Sequence, residues 1–385
     1  MKQNLSVKKL NVFFFLVLLA GSFLFVSSAK AASPLMSTVK YKASSTKIAI
    51  IFDQGVSNAS GTIGLGDFTL SGASSTGQSI ASVQTIGAAS DTYVLTFSTS
   101  VDPGVAGQWR IAASSTIRNT GLETASTTAK DLFTNGTADN AAPIVRGVFQ
   151  RSSITLDVTF SEVLDPGSST STANYVSLVT SAGGDTPGVY AISRIPEGTF
   201  VVITATSSTV LGWGTGNTIN IGSVEDLVGN KLATTTYTIL PPIKISEVRA
   251  ESATNKQDEF IELYNFGDSD ITLATTTFFL HFSTSSVGAD VNKPLTLFTA
   301  SVPARGFYLI GSQFDYSGSG FLDATYNTGS NDINERTGIY ISATSTATST
   351  NGLVIDLIGM GTSTIWETAT TSSALPVGQS FERKA

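Results

Sequence analysis

Apolar residues in this chain come in short runs of Val, Ile, Phe, Tyr and Thr, separated by clusters of Gly, Asn, Asp and Pro. Runs of this kind mark half-buried strands, because side chains alternate across a pleated strand and β-branched and aromatic residues pack well on its surface. In 260–264 (FIELY), Ile261 and Leu263 share one face while Phe260, Glu262 and Tyr264 share the other. Helical spacing sustained over several turns occurs only near the N-terminus, so the pattern predicts an all-β protein.

The runs also recur. Between residues 35 and 240 the chain repeats with a period of about 108 residues. IAIIFD at 48–53 pairs with LDVTFSE at 156–162, GDFTL at 66–70 with ANYVSL at 173–178, and TYVLTFS at 92–98 with TFVVITA at 199–205. Each unit holds about seven short strands in roughly 100 residues, which predicts two β-sandwiches, over 35–136 and 141–240. The polar, glycine-containing stretch 134–142 (TNGTADNAA) is expected to be an exposed linker, whereas 240–243 (LPPI) is stiffened by its prolines. The second and third units should therefore hold a more fixed angle than the first and second.

Three sets of residues carry resemblances to known families. In the second unit Pro143 and Val145 precede a strand ending Phe160-Ser161-Glu162, then Leu164 and Asp165, and a late turn reads Asp226, Gly229, Asn230, Leu232. This set resembles the Ig-like domains of bacterial surface and S-layer proteins. The first unit keeps Phe52, Asp53 and Val56 but lacks the Asp-x-x-Gly-Asn turn, and is a divergent member. The third set opens with Ile245, Glu247 and Val248, followed by DEFIELYN at 258–265. It continues through Ile271 and Leu273, PARGFYLI at 303–310 and GLVIDLIGMG at 352–361, and closes on Pro376, Gly378, Ser380 and Arg383. Residues 243–385 thereby resemble a lamin tail domain, with Thr276-Thr277-Phe278 standing where that family has Gly-Trp. The resemblances imply three tandem Ig-like β-sandwiches. They also place Ile245, Ile261, Leu263, Leu309, Val354 and Leu357 in the core of the third.

The N-terminus adds a destination. Residues 1–31 combine Lys2, Lys8 and Lys9 with an apolar run over 12–26 and Ala29-Lys30-Ala31, a small-x-small cleavage site, and so read as a secretory signal peptide. An uncleaved N-terminal anchor is the competing reading. No membrane span is expected after cleavage. The 22 Lys and Arg include four lysines within 1–31, which leaves 18 against 29 acidic residues and a net charge of −11 on the exported chain. That balance opposes nucleic-acid binding, which depends on basic contacts to phosphate. With no cysteine in the chain there is neither a disulfide framework nor thiolate chemistry, and packed cores must hold the fold.

Candidate chemistry is sparse. His281, the sole histidine, sits in an aromatic run (FFLHFS) and reads either as a strand residue at a sheet surface or edge, or as a catalytic base or metal ligand. One histidine without cysteine leaves zinc sites short of ligands, and no Gly-x-Ser-x-Gly elbow accompanies His281. Gly212, Gly214 and Gly216 imitate a phosphate loop, but the following 218–221 reads as a strand where a helix is needed. Glu259 and Glu262 lie three apart on a strand, point to opposite faces and are expected at a solvated strand end. Asp139, Glu162, Asp165 and Asp226 remain as oxygen ligands that could hold calcium at a domain junction, against ordinary Asx and turn-capping roles. The stretch 342–351 (SATSTATSTN) is expected to be an exposed hairpin tip or a site of sugar attachment.

The expectation is an exported, non-catalytic, cell-surface or secreted protein. It would need no cofactor and would bind or display, with a surface polymer or a protein as partner. The alternative is an accessory part of an extracellular hydrolase, such as a nuclease or phosphatase, whose catalytic domain lies elsewhere.

Overall fold

The computed structural model describes residues 32–75, 77–102, 104–180, 183–184, 190–195, 198–205, 211–214, 216–249, 259–272, 279–283, 290–294, 301–312, 322–326, 333, 338–342, 354–360 and 380–383. The signal-peptide reading of 1–31, Leu273, the 276–278 departure and the 343–351 stretch lie outside these residues, as do Pro376 and Gly378. The fold is all-β: three tandem Ig-like sandwiches built from mainly antiparallel sheets, with one parallel pair at a sheet edge of the first and one at a sheet edge of the third.

The first sandwich comprises β1 (Met36–Tyr41), β2 (Ser45–Phe52), β3 (Phe68–Ser71), β4 (Ile80–Ile86), β5 (Thr92–Val101), β6 (Arg110–Ala113), β7 (Lys130–Asp131) and β8 (Thr137–Ala138). One sheet runs β4-β5-β2-β1-β8 and the facing sheet β3-β6-β7. Alternation along β2 and β5 turns Ile48, Ile50 and Leu95 onto Phe68, Ile111 and Ala113 of the other sheet, and these residues form one buried cluster.

The second sandwich repeats this topology. Its strands are β9 (Val145–Ser152), β10 (Thr155–Phe160), β11 (Tyr175–Thr180), β12 (Gly183–Gly184), β13 (Tyr190–Arg194), β14 (Phe200–Ala205), β15 (Thr218–Ile221) and β16 (Thr235–Thr238). The order β13-β14-β10-β9 matches β4-β5-β2-β1, and β11-β15-β16 matches β3-β6-β7. The sequence period is thus a structural period.

The third sandwich comprises β17 (Ile243–Arg249), β18 (Phe260–Asn265), β19 (Ile271–Thr272), β20 (Phe279–Ser283), β21 (Asp290–Pro294), β22 (Ser301–Val302), β23 (Phe307–Ser312), β24 (Ala324–Tyr326), β25 (Gly338–Ser342), β26 (Val354–Gly359) and β27 (Ser380–Glu382). Its main sheets are β24-β23-β18-β17-β27 and β21-β20-β25-β26. Ile245, Ile261 and Leu263 are buried as expected, but Leu309, Val354 and Leu357 are only half-buried. Leu309 pairs with Glu262 on the outer side of its sheet, and Tyr308 and Ile310 fill the core in its place. In β26 a register shift opposite Ile341 and Ser342 resets the alternation. Asp356 and Ile358 then pair with the core-facing Ile341 and Ile339, and Leu357 falls beside Tyr340.

The shift also turns the Asp356 carboxylate inward. It accepts the Ile245 amide at 2.7 Å and both Arg383 contacts at 2.8 and 2.9 Å, while Arg383 Nη2 donates to the Leu357 carbonyl at 3.0 Å. Burial raises the Asp356 value and the adjacent Arg383 opposes that rise. Three motif positions far apart in sequence therefore form one buried clasp joining β17, β26 and the end of β27.

The stretch 134–142 is largely exposed, as expected of a linker, but its backbone is tied down. Thr137–Ala138 pairs in parallel with Lys40 and Tyr41 of β1, and the Asp139 amide donates to the Tyr41 carbonyl at 2.8 Å. The second joint is packed as well. Phe149 and Phe266 meet edge to face at 5.4 Å, with Lys244 Nζ 5.8 and 5.9 Å from their ring centres. Backbone bonds run from Gln150 N to Leu240 O at 2.9 Å and from Asp268 N to Arg151 O at 2.7 Å.

Two outcomes follow for the third sandwich. Ile261→Ala should lower its stability by about 2–5 kcal/mol, because a fully buried side chain leaves a cavity, whereas Leu309→Ala should cost only about 1 kcal/mol. Arg383→Ala should cost about 3–5 kcal/mol by leaving the buried Asp356 carboxylate without its cation. Denaturant midpoints of the three variants check both, and equal effects of the Ile261 and Leu309 changes would refute the parity.

Candidate functional site: carboxylates between the first two sandwiches

The first and second sandwiches meet along a short apolar seam in which Ala49, Ile86 and Val94 pack on Leu227 and Val228, with Val163 partly buried against them. Polar contacts close the seam on either side. Lys47 of β2 reaches across to Asp165 at 2.9 Å and Glu225 at 3.1 Å. Burial opposes the Lys47 charge, but hydrogen bonds and attraction to the two carboxylates prevail and hold its value above the ordinary one. Lys42 Nζ donates to the Gly229 carbonyl at 3.1 Å and Ser45 Oγ to the Val228 carbonyl at 2.5 Å. Neither Lys47 nor Glu225 stood out in the sequence. The available signal was a lysine placed directly before the apolar core of a strand.

On the other side lie three of the four carboxylates singled out by sequence. Asp139, Glu162 and Asp226 each bring an oxygen to within 4.8 Å of the others. Each is placed by a local device. Asp139 follows the β8 pairing, and its carboxylate accepts Lys40 Nζ at 3.1 Å. Glu162 follows the end of β10. Asp226 anchors the Asp-x-x-Gly-Asn turn: its Oδ1 accepts the Val228 and Asn230 amides at 2.9 and 2.8 Å, and its Oδ2 accepts Asn230 Nδ2 at 2.7 Å. Asn230 Nδ2 also donates to the Asp139 carbonyl at 2.9 Å, linking the turn to the joint. Asp165 lies apart from this group. It caps a short helical turn through Ser168 N at 2.9 Å and holds Lys47.

A cavity of about 340 Å³ opens beside the cluster, lined by Lys40, Ile51, Thr92, Asp139, Glu162 and Val163 among others. Burial is the main cause that lifts the Glu162 value to about 7, Asp226 and Asp139 add to it, and Lys40 opposes it. A carboxyl group near neutrality beside a cavity has the acid strength of a general acid. A calcium ion needs six to eight oxygens, and the cluster offers three carboxylates of which Asp226 is already committed to its turn. Each of the three still offers one oxygen, so the group could supply part of a cation's coordination.

The remaining candidates resolve differently. His281 is fully buried in the interior of its sheet, paired with Asn292 on one side and Tyr340 on the other, and is neither at a surface nor at an edge. Its ring stacks on Tyr340 at 4.2 Å, and its Nε2 lies 2.7 Å from Ser342 Oγ. Both His281 and Ser342 are 0% exposed, so no substrate reaches the pair. Glu259 is likewise fully buried and not solvated, because it enters the sheet directly ahead of β18. Glu262 is half-buried, accepts Ser246 Oγ at 2.8 Å and faces Glu247 across the strand pair. Burial, then Glu247 and Glu382, raise its value against the Ser246 bond. Gly214 and Gly216 adopt positive φ ahead of β15, and Trp213 packs against both the second and third cores.

No protein-family model and no curated protein matches this chain. Among solved structures it is similar to the S-layer protein rSbsC(31-844), at 10% identity and a TM-score of 0.27, over 81% of this chain and 39% of that one. It is also similar to the FN1–FN3 domains of chicken CNTN1, at 12% identity and a TM-score of 0.18, over 86% and 99% of the two chains. A third is the Escherichia coli adhesin FdeC, at 13% identity and a TM-score of 0.18, over 67% and 80%. The chain spans about two-fifths of the S-layer chain.

The Asp226 turn has a counterpart in the first sandwich. Asn119 Oδ1 accepts the Glu123 amide at 3.0 Å, the same four-residue span as Asp226 to Asn230. At the third position after the anchor the second unit has Gly229 at φ 91°, while the first has Leu122 at φ 65°. A left-handed backbone is unfavourable for leucine, and Leu122 is 71% exposed, so its side chain returns little packing. Leu122→Gly should raise the stability of the first sandwich by about 0.5–1 kcal/mol, read as slower amide exchange across β2 and β5.

Proposed function

We propose that this chain is an exported, non-catalytic protein of the cell surface or extracellular space whose three sandwiches serve as a binding or display module. The observation that carries this reading is what the carboxylates, the histidine and the basic residues do. Asp165, Glu225 and Lys47 hold the first joint, Asp226 anchors a turn, Asp356 and Arg383 clasp the third sandwich, and His281 is sealed in a sheet. Apart from Glu162, which lines the cavity, the groups that a hydrolase would keep accessible are engaged in holding strands and joints. Among the described residues no helix is long and apolar enough to cross a membrane.

The proposed domain limits are 35–136, 141–240 and 243–385; three buried clusters support them, with Phe149 and Leu240 of the second unit joining the cluster of the third. The third domain is proposed to be a lamin tail domain. The meeting of its motif residues Ile245, Asp356 and Arg383 in one clasp supports that assignment. The partner is proposed to be a surface polymer or another protein. A net charge of −11 on residues 32–385 disfavours nucleic acid.

The test pairs export with inactivity. Expressed in a bacterium with its leader, the chain should appear outside the cytoplasm beginning at Ala32. The purified protein should turn over no nucleic acid, phosphate ester, peptide or glycan, with or without divalent metal, and its affinity for DNA should not rise as salt is lowered. Saturable hydrolysis abolished by Glu162→Gln or His281→Ala would overturn the reading.

A further inference from the structure

We propose that the outer face of the β27-β17-β18-β23 sheet in the third sandwich binds an amino-sugar polymer. The rings of Tyr264 and Phe307 are its platform, and the carboxylates of Glu247, Glu262 and Glu382 accept its ammonium groups. The proposal rests on the reading of the chain as a binding module and names the chemistry of its polymer. Register sets rings and carboxylates side by side. Tyr264 pairs with Phe307 across β18 and β23, while Glu262 pairs with Glu247 and Glu247 with Glu382 across β18, β17 and β27. The two rows meet on β18, where Glu262 stands two residues from Tyr264, about 7 Å along the strand. Ile261 and Leu263 turn the opposite face of β18 into the core, so both rows look outward.

The platform is open to a ligand. Phe307 is 56% exposed, its ring lies 4.9 Å from that of Tyr264 at an interplanar angle of 36°, and the half-buried Leu309 extends the apolar patch along β23. An apolar ligand face would remove that ring surface from water. Charge then selects the ligand. Carboxylates set directly opposite one another across strands repel, and an ammonium placed over an aromatic face beside them answers both rows at once. Nearby cations are engaged elsewhere: Arg305 with Asp268 at 2.5 Å, and Lys244 over the rings of Phe149 and Phe266. Arg249 stands in the next row, opposite Phe260 and Ser380. Lys244 also pairs with Tyr264 across β17 and β18, so the aromatic strip continues from the second joint to Phe307. The chain thus already places an ammonium of its own over rings at one end of the strip. A basic peptide is the rival occupant. It would gain no main-chain bonds here, because β17, β18 and β23 are each paired on both sides. Pyranose units instead present flat C–H faces to rings and carry their amino groups at the edge, which suits a platform bordered by acceptors.

Calorimetric titration of residues 32–385 with a glucosamine hexamer should show saturable binding. The N-acetylated hexamer, which lacks the charge, should bind about tenfold more weakly. Phe307→Ala should weaken binding of the glucosamine hexamer about tenfold. The double change Glu247→Gln with Glu262→Gln should weaken it as much and remove the preference over the acetylated form. Ile144→Ala, at an exposed residue ahead of β9, should leave binding as it is. Thermal midpoints serve as the folding control. Binding that survives both the Phe307 and the glutamate changes would overturn the proposal, as would hexalysine binding more tightly than the sugar, which would assign the face to a basic peptide. Absence of binding by the unaltered chain would overturn it too, while leaving the module with a different partner. Shortening of the hexamer during titration would overturn the non-catalytic reading alone, and loss of affinity in Phe307→Ala would still uphold this surface.

Discussion

Taking a carboxylate out of water is costly unless donors or a cation replace its hydration, and this chain buries its carboxylates where segments distant in sequence meet. Asp356 ties β17 to β26 and to Arg383 beyond β27. Asp226 closes a turn whose asparagine reaches the linker carbonyl of Asp139. Asp165 caps a helical turn and holds Lys47 of the neighbouring sandwich. Asp157, on the outer side of β10, pairs with Arg151 at 3.2 Å, and burial opposed by Arg151 lifts its value to about 6. A protein without cysteine has no covalent cross-link to set such meetings. The donors each carboxylate requires do so here, because a strand that slipped register would strand the charge without them.

Much of this was legible in the sequence, and the limits have physical causes. The repeat could be read because each unit supplies the same strands in the same order, and topology follows order: β13-β14-β10-β9 reproduces β4-β5-β2-β1. The resemblance also placed Ile245, Ile261 and Leu263 inside the third sandwich, where they are buried. It failed at Val354 and Leu357, because the register shift beside Ser342 inverts the parity and leaves no mark in the apolar pattern. It failed at Leu309 because Tyr308 and Ile310 are equally good core residues. For the site, sequence could nominate Asp139, Glu162, Asp165 and Asp226 but not sort them. The partner that takes Asp165 away, Lys47, is 118 residues distant. Composition marked 134–142 as a loose linker, yet parallel pairing with β1 is a backbone interaction and depends little on side chains.

The middle sandwich carries both joints on neighbouring residues of one strand and its exit. Leu156, Val158 and Phe160 of β10 face its own core. Asp157 faces outward toward the charges of the third sandwich, and Glu162, two residues past the strand, faces the first. Period-two alternation thus lets a single segment serve the core with one set of side chains and the neighbours with the other. In the first sandwich β2 holds the equivalent place, and its outward residues, Lys47 and Ala49, are turned onto the second. The first joint therefore sets the outward face of β2 against the exit of β10 and the Asp226 turn of the second copy, and divergence of these outward faces distinguishes the two copies.

The two joints differ in the kind of force that closes them. The second is held by an edge-to-face aromatic pair beneath Lys244 and by Trp213, which packs against both cores. Contacts of this sort are short-ranged and respond weakly to pH and salt. At the first joint the apolar seam is small, and the charged groups around it are half-exposed, so their interactions are open to screening and titration. What distinguishes the two joints is consequently less the composition of the linker than the groups that meet at each interface. The polar stretch 134–142 adjoins the joint with more charged contacts, and the two prolines adjoin the joint closed by aromatic rings, so each connection meets the kind of interface its own side chains do not announce.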